Sequence, residues 1–350
     1  MAPAGADARP RRGKGRTWAT LAALALSFLA CSHDWTVRPR AAALADADTD
    51  GPDGPTTGDG GDGTGVLTEL ASGEEGAAEL VVVRETLLWT IDAPSTGTIR
   101  ACDVSDCRPR PLAGAQDVPH SLIVEDPHVM WLVGKEIRRT DLQGAPVTVV
   151  ASIDKPLQAV RRIGDRLYAS DPDFVARCNF NQVSAVCTGR STIGPDFPPS
   201  SLGPLTVDPL RRLWTASRET LYWLDLDVDR RRTWAPVERA RSLVASEAAV
   251  FALLEKGDVV AVPTTAADGG APRSVRVDGT ASAIAVDRTH LFVGYKEGRV
   301  DRHALSAIDQ RETVASGLGD VKALAVDRDR IYVALADGRI GAVPQPSAGR

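Results

Sequence analysis

The sequence predicts an all-β chain built as a seven-bladed β-propeller, carried behind a signal peptide and a disordered acidic linker. Three observations predict it. Residues 323–343, ALAVDRDRIYVALADGRIGAV, repeat without a gap the pattern AIAVDRTHLFVGYKEGRVDRH of residues 283–303. Asp327 thus lies over Asp287, Tyr332 over Phe292 and Gly338 over Gly298, and a period near forty residues marks a propeller blade. An aromatic anchor recurs at Trp89, Trp131, Tyr168, Trp214, Phe251, Phe292 and Tyr332, at spacings of 42, 37, 46, 37, 41 and 40 residues. Gly97, Gly134, Gly257, Gly298 and Gly338 follow five of these anchors, where a tight hairpin asks for positive φ.

The chain opens on Arg9, Arg11, Arg12, Lys14 and Arg16, followed by an apolar run from Trp18 to Ala30. Thirteen residues are too short to span a bilayer but fit the apolar region of a signal peptide, so residues 1–30 are read as a removed leader. Phe28-Leu29-Ala30-Cys31 resembles the lipobox of bacterial lipoproteins, which makes Cys31 the expected lipidation site. Ser32 beside it fits the outer-membrane pattern of such proteins. Acyl chains supply about 0.8 kcal/mol per buried CH₂, enough with several chains to hold a soluble domain at a membrane. The protein is therefore expected to be exported, as an outer-membrane lipoprotein facing the periplasm or the cell surface.

Residues 31–64 are dense in Gly, Asp, Thr and Pro and nearly free of large apolar groups. Such a segment cannot offset its own ordering entropy and reads as a tether. Asp46, Asp48, Asp50 and Gly51 copy the first half of a calcium loop, but Thr57 stands where the bidentate acid belongs. A hydrated spacer is the simpler reading.

The propeller is expected over residues 65–345, with a disordered tail at 346–350. Each unit reads as an apolar inner strand, a strand with the aromatic, a tight turn and two more polar strands. In the sixth these are residues 282–286, 291–295, 299–304 and 312–315. The seventh unit runs out after three strands, so residues 65–70, GVLTEL, are expected to close the ring as its outermost strand.

Cys102, Cys107, Cys178 and Cys187 remain after Cys31 is set aside. In an exported chain an even set suggests disulfides, and of the three connectivities the local pairs 102–107 and 178–187 pin one outer hairpin each. Four cysteines split between two blades do not suit a tetrahedral metal site. The stretch LLWTIDAPSTGTIRACDVSDCRPRPLAGAQDVPHSLIVEDPHVMWLV resembles the repeats of secreted propeller lipoproteins of the myxobacterial type, with YWTN/NHL-like repeats and Cys-x4-Cys hairpins. That resemblance implies fold and export and no settled activity.

The formal charge is −5, and removing the leader leaves 36 basic and 45 acidic residues, a net of −9. An acidic chain without a basic patch speaks against nucleic-acid binding. No Gly-x-Ser-x-Gly elbow, His-Glu-x-x-His helix or phosphate-binding Gly-Lys-Ser/Thr loop occurs. Residues leading into the inner strands, Glu79, His120, Asp154 and Asp320 with Lys155 nearby, are the candidate channel-mouth ligands. Converging there, they would hold Ca²⁺ or another divalent ion, as in propeller lactonases, which the fold resembles. Asn is confined to Asn179 and Asn181, which weighs against that set. Asp208, Asp287 and Asp327 recur after inner strands and read as turn residues accepting backbone N–H bonds. His128, His290 and His303 read as surface residues, and Trp223 and Trp234 as packing between blades.

The expected function is a lipid-anchored binding or scaffolding module of the cell envelope, without a cofactor. It would be a monomer, partnered by an envelope protein or glycan and touching the membrane only through its anchor. The alternative is a metal-dependent, lactonase-like hydrolase with a divalent ion in the channel.

Overall fold

The computed structural model describes residues 65–93, 96–193, 197, 202–228, 230–265 and 271–346. The leader, Cys31, the tether and residues from 347 onward lie outside the described residues. Within them the chain forms seven four-stranded antiparallel sheets and no helix. Six sheets are simple meanders in chain order. The seventh takes Val321–Val326, Arg330–Leu335 and Ile340–Pro344 from the end of the chain and Thr68–Ala71 from its beginning.

That last pairing closes the ring. Thr68 sits opposite Ala342 and Glu69 opposite Gly341, and Gly341 is required there, because a Cβ would lie 2.5 Å from Leu67 Cδ1 and 2.9 Å from the Thr68 carbonyl oxygen. The closing strand starts three residues later than the sequence suggested. Gly65 still contributes, donating its N–H to the Val314 carbonyl at 2.8 Å in blade six.

Apolar side chains collect into seven clusters, one at each junction between neighbouring blades. This is why the blades need one another: a sheet hydrophobic on both faces is stable only when sandwiched on both. All seven anchors lie on second strands and are at most 2% exposed.

They do not all face the same way. Tyr168, Trp214, Phe251, Phe292 and Tyr332 pack onto the following blade, whereas Trp89, on Thr86–Ile91, and Trp131, on His128–Val133, present the other face. Side chains alternate with period two, so a one-residue offset turns a side chain to the opposite face. Trp89 therefore packs back onto blade seven beside Tyr332, and Trp131 back onto blade one. The junction of blades one and seven holds two anchors. That of blades two and three holds none and is filled by Met130, Phe180 and the Cys178–Cys187 pair.

Both expected disulfides are present, Cys102–Cys107 with Cα atoms 4.9 Å apart and Cys178–Cys187 at 5.5 Å. Each joins the third and fourth strands of its blade. Gly134, Gly257, Gly298 and Gly338 adopt positive φ in their turns. Gly97 does not: it begins the strand Gly97–Asp103, where a Cβ would strike the Gln116 carbonyl oxygen at 2.7 Å. In blade six the fourth strand, Ala307–Ala315, starts five residues earlier than expected.

The repeated aspartates act as turn residues. Asp287 Oδ1 accepts from the backbone N–H groups of Thr289 and His290, both at 2.7 Å, and Asp327 Oδ1 from those of Asp329 and Arg330, both at 2.8 Å. Asp208 and Asp327 also hold their own anchors: the Trp214 indole N–H donates to Asp208 at 3.0 Å and the Tyr332 hydroxyl to Asp327 at 2.7 Å. His303 contradicts the surface reading. It is fully buried on Val300–Ala304, its Nδ1 3.0 Å from the Ile308 carbonyl oxygen. Trp223 and Trp234 pack on Trp214 with ring centroids 6.5 and 5.3 Å away.

Candidate functional site

The seven inner strands surround a central channel of about 780 Å³, lined by residues from every blade, within the size range of small-molecule sites. Because neighbouring strands are antiparallel, the loops entering the inner strands and the turns between second and third strands share one end, the mouth. In every blade the residue ten positions before the aromatic anchor lines the channel. These include Glu79, Ser121, Gln158, Arg241, Ser282 and Lys322, so the mouth is polar. Farther along, Val82, Leu122, Val207, Val244 and Ile284 make the wall apolar. Arg241, Ser282 and Lys322 are skipped in the pairing of their strands, and such bulges redirect a side chain out of the ladder.

The four candidate ligands do not share a point. The Glu79 carboxylate reaches across the blade junction to accept from the Ser121 and Leu122 backbone N–H groups at 2.8 and 2.7 Å. Ser121 presents them from a φ of 55°. Both ring nitrogens of His120 lie against backbone carbonyls, Nδ1 3.0 Å from Val118 O and Nε2 3.1 Å from Leu157 O. Asp154 is exposed. Neighbouring Lys155 pairs with Asp173. Asp320 accepts from Lys322 at 2.6 Å through Oδ2, while its buried Oδ1 has no partner among the described residues. Among the described residues no three His, Cys, Asp or Glu side chains converge as metal ligation requires.

The channel's cations were missed from sequence, although the spacing from the anchor marks Arg241 and Lys322. Four cations, Arg161, Arg239, Arg241 and Lys322, face two carboxylates, Glu79 and Glu255, along the wall. Arg239 is paired with Glu255 at 3.0 Å, and Lys322 with Asp320. Arg161, at the centre of the inner strand Ala159–Ile163, bonds only neutral acceptors: Val160 O at 2.7 Å and Ser121 Oγ at 3.2 Å. Arg241 donates to Ala281 O at 2.7 Å. Among the described residues neither guanidinium has a carboxylate within 4.0 Å. Burial pushes both below the ordinary arginine range, opposed by the charge of Glu79 for Arg161 and of Asp320 for Arg241.

With this geometry in hand, comparison with known proteins confirms the architecture. No family model and no curated protein matches the chain. Among solved structures it is similar to streptogramin B lyase, with a TM-score of 0.64 at 11% identity over 80% of this chain and 98% of that one. It is also similar to virginiamycin B lyase from Staphylococcus aureus, with a TM-score of 0.62 at 11% identity over 80% and 99% of the two chains. U3-55K is as near, at 0.64 and 12% identity over 80% and 98%. At such identities the likeness shows the propeller fold alone.

Proposed function

We propose that the protein is an exported, lipid-anchored binding module whose ligand or envelope partner is received at the mouth of the channel. The observation that carries this reading is the channel itself, walled by all seven blades, polar at its mouth and apolar below. Two disulfides suit an oxidising compartment,. Cys31 and the segment to residue 64 would supply anchor and reach. Among the described residues a divalent ion of the lactonase kind lacks its ligand set, since Glu79 and His120 are spent on backbone groups and Asp154 faces solvent.

The experiment is site-specific photo-crosslinking of the full chain in intact cells, with the crosslinker at Asp154 on the mouth side or at Asp329, in an exposed turn at the opposite end. Adducts from Asp154 and none from Asp329 are expected; equal labelling at both would refute a mouth-facing role. Labelling with radioactive palmitate, abolished by Cys31→Ser, tests the anchor.

A further inference from the structure

A guanidinium drawn out of bulk water without a carboxylate is costly unless an anion completes it, because neutral acceptors only partly replace lost hydration. Arg161, half-buried on its inner strand, is such a group, and Arg241 adds a second guanidinium without a carboxylate, exposed at the mouth. Arg161 lies level with Tyr168, its cross-strand partner, in the zone where Leu122 and Val244 form the wall. Arg241 bulges at the mouth. The acids that face them are engaged: Glu79 accepts two backbone N–H bonds and Asp320 holds Lys322.

We propose that the channel binds a small organic anion, its acidic group held by Arg161 and Arg241 and its apolar body lying along the Val82, Leu122, Val207 and Val244 wall. A guanidinium fork recognises carboxylate and sulfonate alike and binds them more strongly than it binds a neutral acceptor. The volume suits a molecule of one or two rings with its head group, not a polymer,. This rests on the reading of the channel as the binding site and names the chemical class it takes.

The test is isothermal titration of the full chain with 2-naphthoate, 2-naphthalenesulfonate and the neutral isostere 2-naphthamide. One-to-one binding of both anions, roughly tenfold or more tighter than the amide, is expected from charge-assisted hydrogen bonding. Arg161→Gln and Arg241→Gln should each weaken the anions by about tenfold and leave the amide unchanged. Arg108→Gln, which removes an exposed guanidinium from the outermost strand of blade one, should change neither. Equal binding of anion and amide, no anion binding, or anion binding indifferent to both arginine variants would overturn the proposal. If Arg161→Gln does not fold, Arg161→Lys and the anion-to-amide ratio of the unaltered chain still decide it. Loss of naphthoate binding with crosslinking at Asp154 intact would refute the anion and leave the binding module standing.

Discussion

Glu74 is the residue whose replacement tests the ring most directly. It is 2% exposed, in the loop before the first inner strand, Ala77–Val83. Its Oε2 accepts from the Trp89 indole N–H at 2.9 Å, its Oε1 pairs with Arg100, and its own N–H donates to Gly338 O at 2.9 Å in blade seven. Glu74→Ala would strip a buried indole donor of its partner and leave Arg100, 32% exposed at its side chain, without its acid. Losing one partner of a buried pair costs about 3 to 5 kcal/mol, and the exposure of Arg100 reduces this to roughly 2 to 4. For a domain of this size each kcal/mol moves the Tm by about 2 to 4 °C, so a drop of roughly 5 to 15 °C is expected by near-UV circular dichroism. The chain supplies its own control. In the next blade Gln116, also fifteen residues before its tryptophan, accepts from the Trp131 indole at 3.4 Å and from Arg138 at 2.7 Å. Glu74→Gln should therefore cost only about 1 kcal/mol, the ordinary scale of one hydrogen bond. If the alanine variant melts within a degree or two of the parent, or no lower than the glutamine variant, the account of this junction is wrong.

Deleting residues 66–70 should lower the Tm sharply, since it removes the pairing with Ile340–Pro344; an unchanged melt would sink the closure. Tyr332→Phe should cost about 1 kcal/mol through loss of the bond to Asp327,, read as a small fall in midpoint denaturant concentration at constant slope. Stability should fall as the solution is acidified. Burial pushes His303, His290 and His128 below the ordinary imidazole range, so the unfolded chain takes up protons first and stability is lost as pH drops through about 6.5. Asp141 and Asp337, lowered by hydrogen bonds from Ala145 N–H and the Arg339 side chain, add a further loss as pH falls through their folded values. A melt at pH 5 equal to that at pH 7.5 would contradict the histidine account, and a melt at pH 3 equal to that at pH 5 the aspartate one. Replacing Cys178 and Cys187 with serine should cost about 2 kcal/mol, the scale of a small closed loop, and reducing agent should lower the melt of the parent by more than that of the variant, which keeps only Cys102–Cys107.

The blade count was legible because the aromatic of each second strand must be buried wherever the strand begins. Its facing was not legible, because the register that only pairing reveals turns Trp89 and Trp131 to the opposite face from the other five anchors. The pairing of the cysteines followed from their closeness in one hairpin. The candidate ligands failed for a different reason. Being near the start of an inner strand does not aim a side chain into the channel, and the positive φ of Ser121 turns two N–H groups onto Glu79, which no local pattern announces. Arg241 stands at the repeated position ten residues before its anchor, Phe251, whereas Arg161 carries no motif and only its depth in the ring sets it apart from the other arginines.

The unequal sharing of aromatics around the ring means that the order of the blades in the chain is not their order of mechanical strength. Where the two ends of the propeller meet, Trp89 and Tyr332 share one core and Glu74 bridges to Gly338. The junction of blades two and three, continuous in the chain, has neither aromatic anchor. A polypeptide permuted to start at blade three and end at blade two would thus keep its strongest seam intact and place its new termini at the weakest. Under load the ring would part there, as a clasp that stays shut while the band beside it gives.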